Sequence, residues 1–142
     1  MNNIDNIEEV EHFKIVDDEI NKRAEKINKV QKVFLQVNTS GEDSKSGCEP
    51  NEAIDLADEF LKLKNIQLVG LMTIGTFTDD ESQQRKEFSL LRNLLNDINN
   101  KLKLELKELS MGMTNDYPTA INEGATMVRI GTAYFGERNY NK

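Results

Sequence analysis

Four residues of this sequence suit the capture of a small anion: Ser110, Thr114, Gly131 and Thr132. Each stands at or just after the end of a short apolar run, in the stretches Ser110-Met111-Gly112-Met113-Thr114 and Arg129-Ile130-Gly131-Thr132. Hydroxyl and backbone N–H groups donate to an anion, and glycine lets the main chain approach it. Free N–H groups at the start of a helical turn add a favourable dipole. Two further runs end in the same kind of residue, Asn38-Thr39-Ser40-Gly41 and Met72-Thr73-Ile74-Gly75. Ordinary turn chemistry uses these residue types as well, so the pattern alone leaves both readings open.

Arg129 lies one residue before the last of these ends, inside an apolar run. An arginine there needs a partner, either a ligand heteroatom or a neighbouring carboxylate. The loop GEDSKSG carries Lys45 and two carboxylates and has the composition of a solvated surface loop or a lid. His12 falls on the polar side of an expected helix. Cys48 sits in a polar loop with no base beside it, so nucleophilic catalysis by it is not expected. Met72, Met111 and Met113 read as packing residues. One cysteine and one histidine far apart exclude a zinc site of ordinary spacing. Neither G-x-G-x-x-G nor G-x-x-x-x-G-K-[ST] occurs, which argues against dinucleotides and nucleoside triphosphates.

The elements that must position these ends follow from periodicity. Ile7, Val10, Phe13, Val16, Ile20, Ala24 and Ile27 recur in steps of three and four, which predicts one amphipathic helix. Residues 32–38, KVFLQVN, predict a buried strand. Pro50 opens a helix containing Ala53, Ala57, Phe60 and Leu61. A second strand is expected over 66–74. Thr78 and Glu81, in TDDE, fit a capping box for a long helix with Phe88, Leu91, Leu95, Ile98 and Leu102 on one face. A third strand is expected around Leu106 to Ser110. A brief helix follows, capped by Asn115 or Asp116 and ended by Gly124. A last strand is expected over 126–130, then a helical turn. The expected fold is thus α/β, with four parallel strands alternating with helices in one domain over 1–142. An open doubly wound sheet and part of a barrel both fit that order. Both put a ligand site at the C-terminal strand ends.

Composition bounds the partners. The 142 residues carry a net charge of −7, which disfavours nucleic acid. No run of about 20 apolar residues is present, so no membrane partner is expected. A single cysteine rules out a disulfide within the chain and makes a reducing, cytoplasmic setting the expectation.

The stretches VNTSGEDSKSG at 37–47, VGLMTIG at 69–75, LSMGMTND at 109–116 and EGATMVRIGTAYFGERNY at 123–140 resemble the pyridoxal 5′-phosphate (PLP) homeostasis family. That family is similar to the barrel domain of alanine racemase, and the motifs occur in its order and at about its spacing. The resemblance implies a (β/α)8 TIM barrel, here its C-terminal half, that binds PLP without robust turnover. It places the phosphate contacts on Ser110, Met113, Thr114, Gly131 and Thr132. It sets Arg129 near the pyridine nitrogen, and Asn38 and Met72 on the pocket wall.

The family's Schiff-base lysine ends its first strand in a VSK-type motif, and a His-Phe-Ile-Gly segment belongs to its third. Neither occurs in these residues. The resemblance therefore places the start of this chain near the end of the fourth strand, with NNIDNIEE as that strand's exit. It implies a truncated form in which covalent PLP is not expected, although a phosphate or sulfate site remains. Lys45 is a weak substitute for the missing lysine. Exposed edges of a half barrel imply self-association. A PLP-dependent racemase-like enzyme and a cofactor-free half-barrel interaction module are the alternatives.

Overall fold

A computed structural model of the chain describes residues 21–42 and 46–129 in full and the backbone of 7–10. It contains five parallel strands, β1 (Ile7–Val10), β2 (Gln31–Gln36), β3 (Ile66–Met72), β4 (Glu108–Met113) and β5 (Met127–Arg129). They lie side by side in chain order. Helix α1 is described over 21–26. Helices α2 (Ala53–Leu61), α3 (Glu81–Leu102) and α4 (Tyr117–Asn122) follow, and a 3₁₀ turn at Pro50–Glu52 leads into α2.

That order decides between the two architectures. Crossovers between parallel strands are right-handed, so an unreversed order puts every helix on the same face of the sheet. A doubly wound sheet reverses at a switch point, and this one has none among the described residues. The arrangement is that of a barrel wall. Its outer face carries the main core, in which Val33, Leu35 and Val37 of β2 and its continuation meet Leu68, Leu71, Leu109 and Met111. Phe60 from α2, Phe88, Leu91, Leu95 and Ile98 from α3, and Ala120 from α4 cover them. Phe34 and Met72 are equally buried yet stand apart from that cluster. For Phe34 this follows from the two-residue alternation of a strand, which turns it to the inner face.

Three expectations are corrected. Ile7 and Val10 do not begin a helix, because Ile7–Val10 is a strand paired in parallel with Lys32 to Leu35. Spacing of three and four in IEEV is too short a pattern to outweigh a neighbouring strand edge. The wall thus has five strands where periodicity predicts four. Ile27 is exposed, and Phe13, Val16, Ile20 and His12 lie outside the described residues. The third strand starts two residues late. Leu106 is held instead by Asn99, whose Oδ1 accepts from its N–H at 2.8 Å and whose Nδ2 donates to its carbonyl at 2.9 Å. Helix α3 is capped by Asp80 and not by Thr78. Asp80 Oδ1 accepts from Ser82 N at 2.9 Å and Gln83 N at 3.4 Å, while Glu81 pairs with Arg85. A carboxylate next to the first turn outcompetes a hydroxyl two residues earlier.

Gly70 and Gly112 are demanded by packing. A Cβ on Gly70 would stand 1.9 Å from the Glu108 carbonyl oxygen, and one on Gly112 would stand 2.7 Å from Ala120 Cβ. The first lets β3 and β4 pair, and the second lets α4 lie on β4. Among the described residues no helix is long and apolar enough to cross a membrane.

Candidate functional site

The C-terminal ends of β2 to β5 are tied together by side chains. At the end of β2, Thr39 Oγ1 lies 2.9 Å from Thr73 Oγ1, and Thr73 Oγ1 donates to the Val37 carbonyl at 2.8 Å. Thr73 is fully buried just past β3. Arg129, the last residue of β5, reaches back across the sheet. Its Nη1 donates to Ser110 Oγ on β4 at 2.6 Å, and its Nη2 donates to the Thr73 carbonyl at 3.1 Å. One guanidinium therefore joins three neighbouring strands at the mouth end of the wall. A fork of donors suits this, since both acceptors are served at once.

Ser110 has no exposed surface, and its hydroxyl proton meets no acceptor among the described residues. Met113 and Thr114, at the tip of β4, are exposed. The N–H groups of Thr114 and Asn115 likewise find no partner among the described residues. The turn is fixed by Asp116, whose Oδ1 accepts from Met113 N at 2.7 Å. An orphaned buried hydroxyl, a nearby guanidinium and two open N–H groups suit a ligand that carries an anion.

Asn38, expected on the pocket wall, is hydrogen-bonded within its own loop. Its Oδ1 accepts from Ser40 N at 3.1 Å and Ser40 Oγ at 2.7 Å, and its Nδ2 donates to the Glu42 carbonyl at 2.7 Å. It shapes the loop after β2. Met72 is buried at the end of β3, beside Ser110 in the strand register. Gly131, Thr132 and Lys45 lie outside the described residues. Thr73 is the site residue that sequence reading passed over in favour of Met72. The signal was its place immediately after the apolar run, where a hydroxyl can bond across strands.

Cys48 is not a loop residue in the open. It is buried, bridged to Val37 in parallel, and its N–H donates to the Gln36 carbonyl at 3.0 Å. Burial, with the carboxylates of Glu52 and Glu49 adding to it, pushes the thiol up to about 12. The folded thiol keeps its proton where the unfolded thiol, near 9, loses it. Stability from this group is thus intact below pH 9 and falls as pH rises from about 9 towards 12. Ellman's reagent at pH 8 is expected to react with the native chain at least about 100-fold more slowly than with the urea-unfolded chain. Equal rates would show that the thiol is open.

An open hollow of about 720 Å³ lies at the other end of the wall, lined by Lys32, Gln67, Val69, Glu108 and Met127 among others. It sits at the N-terminal strand ends, away from Arg129. No group of three or more metal-ligating side chains occurs among the described residues.

The family model for the alanine racemase N-terminal domain matches residues 7–139. The chain belongs to that family. Relatives named pyridoxal phosphate homeostasis protein include one from Aquifex aeolicus, 46% identical over 123 residues, covering 87% of this chain and 54% of the relative. The human protein of that name is 46% identical over 115 residues, covering 78% of this chain and 42% of its own length. The chain therefore spans about half the length of the curated relatives it matches. Among solved structures, PipY of Synechococcus elongatus with PLP bound matches at a TM-score of 0.81 and 27% identity, over 92% of this chain and 61% of PipY. An alanine racemase of Clostridium difficile shares the fold at a TM-score of 0.73 and 18% identity, over 95% of this chain and 37% of the racemase. The barrel reading of the wall and the resemblance of the four motifs agree with these matches.

Proposed function

We propose that this chain carries the phosphate and pyridine side of a PLP site and serves PLP homeostasis by holding the cofactor, without robust turnover. The observation that carries the reading is the meeting of β3, β4 and β5 on Arg129. The names of the relatives support it, as does the PLP-bound state of PipY. Met113 and Thr114, with Gly131 and Thr132 from the next junction, are assigned to the phosphate. Ser110 is assigned to it through its free proton and also orients Arg129. Met72 and Asn38 are assigned to the pocket wall. PLP supplies an electron-accepting ring when bound. A guanidinium facing the pyridine nitrogen keeps that nitrogen unprotonated, which weakens the ring as an acceptor and suits storage better than catalysis.

For these 142 residues taken alone, attachment is proposed to be non-covalent. The domain is proposed to be one partial barrel over 1–142. Edge strands β1 and β5 each leave one side without a partner strand among the described residues, which supports self-association of the chain studied alone.

Titration of the 142-residue chain with PLP, followed by absorbance and by competition with inorganic phosphate, is the test. The expected result is saturable binding that phosphate displaces, weakened about tenfold by Thr132→Val and by Ser110→Ala. Sedimentation equilibrium on the same samples is expected to show a species larger than a monomer. Saturation with no effect of either substitution would remove the assigned site. Stoichiometric labelling of one lysine after borohydride reduction would overturn the non-covalent reading. Rapid racemisation of an amino acid by the loaded chain would favour an enzyme.

A further inference from the structure

We propose that Asp116 is a positioning residue that holds the β4–α4 turn in the shape that presents its N–H groups to an anion. The inference rests on the site reading above and adds to it a residue that would not touch the ligand. Asp116 is 6% exposed, and it grips the turn from both sides. Its Oδ1 accepts from Met113 N at 2.7 Å, and its own N–H donates to the Met113 carbonyl at 3.2 Å. Its carbonyl accepts from Ala120 N at 3.1 Å, which starts α4. Thr114 and Asn115 are the two residues enclosed by this clamp. With Met113 N engaged below, the enclosed N–H groups remain available outside.

The second carboxylate oxygen shows that the side chain is held for geometry. Asp116 Oδ2 would lie 3.9 Å from a Cβ on Gly75, and Glu87 Oε1 would lie 3.4 Å from it. Glu87 is buried and performs the same service for the preceding loop, accepting from Thr76 N at 2.9 Å and from Gln83 Nε2 at 2.6 Å. Asp116 Oδ2 finds no hydrogen-bond partner among the described residues. A buried negative charge beside a second carboxylate opposes an incoming anion. What Asp116 contributes to anion binding is therefore its acceptor at the right reach, and its charge works against it.

Two conservative substitutions separate acceptor from charge. Asp116→Asn keeps an oxygen at the same reach and drops the charge. Asp116→Glu keeps the charge and moves the oxygen by one methylene. Binding of inorganic phosphate and of PLP to the full chain is the first readout, and hydrogen exchange of the Met113 amide is the second. The expected order is D116N equal to or tighter than the unsubstituted chain, and D116E weaker by about tenfold. The Met113 amide is expected to stay protected in D116N and to exchange faster in D116E. The opposite affinity order, or no change in either variant, would overturn the proposal. If the unsubstituted chain binds neither probe, the PLP reading fails on its own. The Met113 amide then decides the clamp: equal protection in both variants refutes it, and loss in D116E alone upholds it.

Discussion

Gly70→Ala is expected to destabilise the chain by about 4 kcal/mol and to move its urea midpoint far down. Gly70 pairs with Phe34 on one side and with Glu108 on the other. A Cβ there would lie 1.9 Å from the Glu108 carbonyl oxygen and 2.6 Å from its carbon. Both atoms are main chain, so no side-chain rotation relieves the overlap. β4 must move outward, and its pairing of Glu108, Leu109 and Ser110 with Gly70, Leu71 and Met72 goes with it. Overpacking costs about 1–3 kcal/mol, and each lost backbone bond about 1 kcal/mol more. Total stability for a domain is of the order of 5–15 kcal/mol, so this loss is a large share of it. Gly41→Ala is the control. A Cβ at Gly41 meets nothing within 4 Å, and its φ of +79° leaves only a backbone cost of about 1 kcal/mol. Urea unfolding followed by circular dichroism compares the two. A Gly70→Ala midpoint equal to that of Gly41→Ala would mean that β3 and β4 do not approach as described.

Gly70 also shows what the sequence makes visible. Its place in IQLVGLM is easily read as part of a strand, but not why glycine stands there. The reason is a main-chain atom 38 residues away, at Glu108, and no local pattern reports a contact of that range. The long helix α3 is the opposite case. Phe88, Leu91, Leu95 and Ile98 repeat over enough turns for the period to identify the buried face without help. IEEV is too short for that, and β1 exists because β2 offers it an edge. The choice of barrel over doubly wound sheet also lay beyond periodicity. It needed the order of strands, which the four resembling motifs implied and hydrophobic spacing did not.

The site divides in the same way. Strand ends rich in hydroxyl, amide and glycine residues point to the C-terminal end of the sheet, because a parallel fold confines ligands there. Arg129 stood out as a cation in an apolar run. Its partners did not, since Ser110 and Thr73 come from two other strands. Asn38 has the chemistry of a wall residue, and its amide also braces its own loop. An amide near a turn bonds locally whenever the backbone allows, so residue type alone does not tell a ligand contact from a loop brace.

Arg129→Ala is expected to weaken PLP binding by about 100-fold and to lower stability by about 2 kcal/mol. The two effects have separate origins. Stability falls because Ser110 Oγ and the Thr73 carbonyl lose a charged donor, and Ser110 has no route to water. Affinity falls further, because the positive charge proposed to meet the pyridine nitrogen is gone in a chain whose net charge is −7. Arg129→Lys tells charge from geometry. An ammonium keeps the charge but offers a single nitrogen to two acceptors on different strands, so it is expected to recover less than about a tenth of the lost affinity. PLP titration by calorimetry, paired with urea unfolding, gives both quantities on the same preparations. Full recovery by lysine would reduce Arg129 to a point charge. Unchanged affinity in the alanine variant would leave it a brace between strands, and the PLP site would then have to be sought elsewhere on the wall.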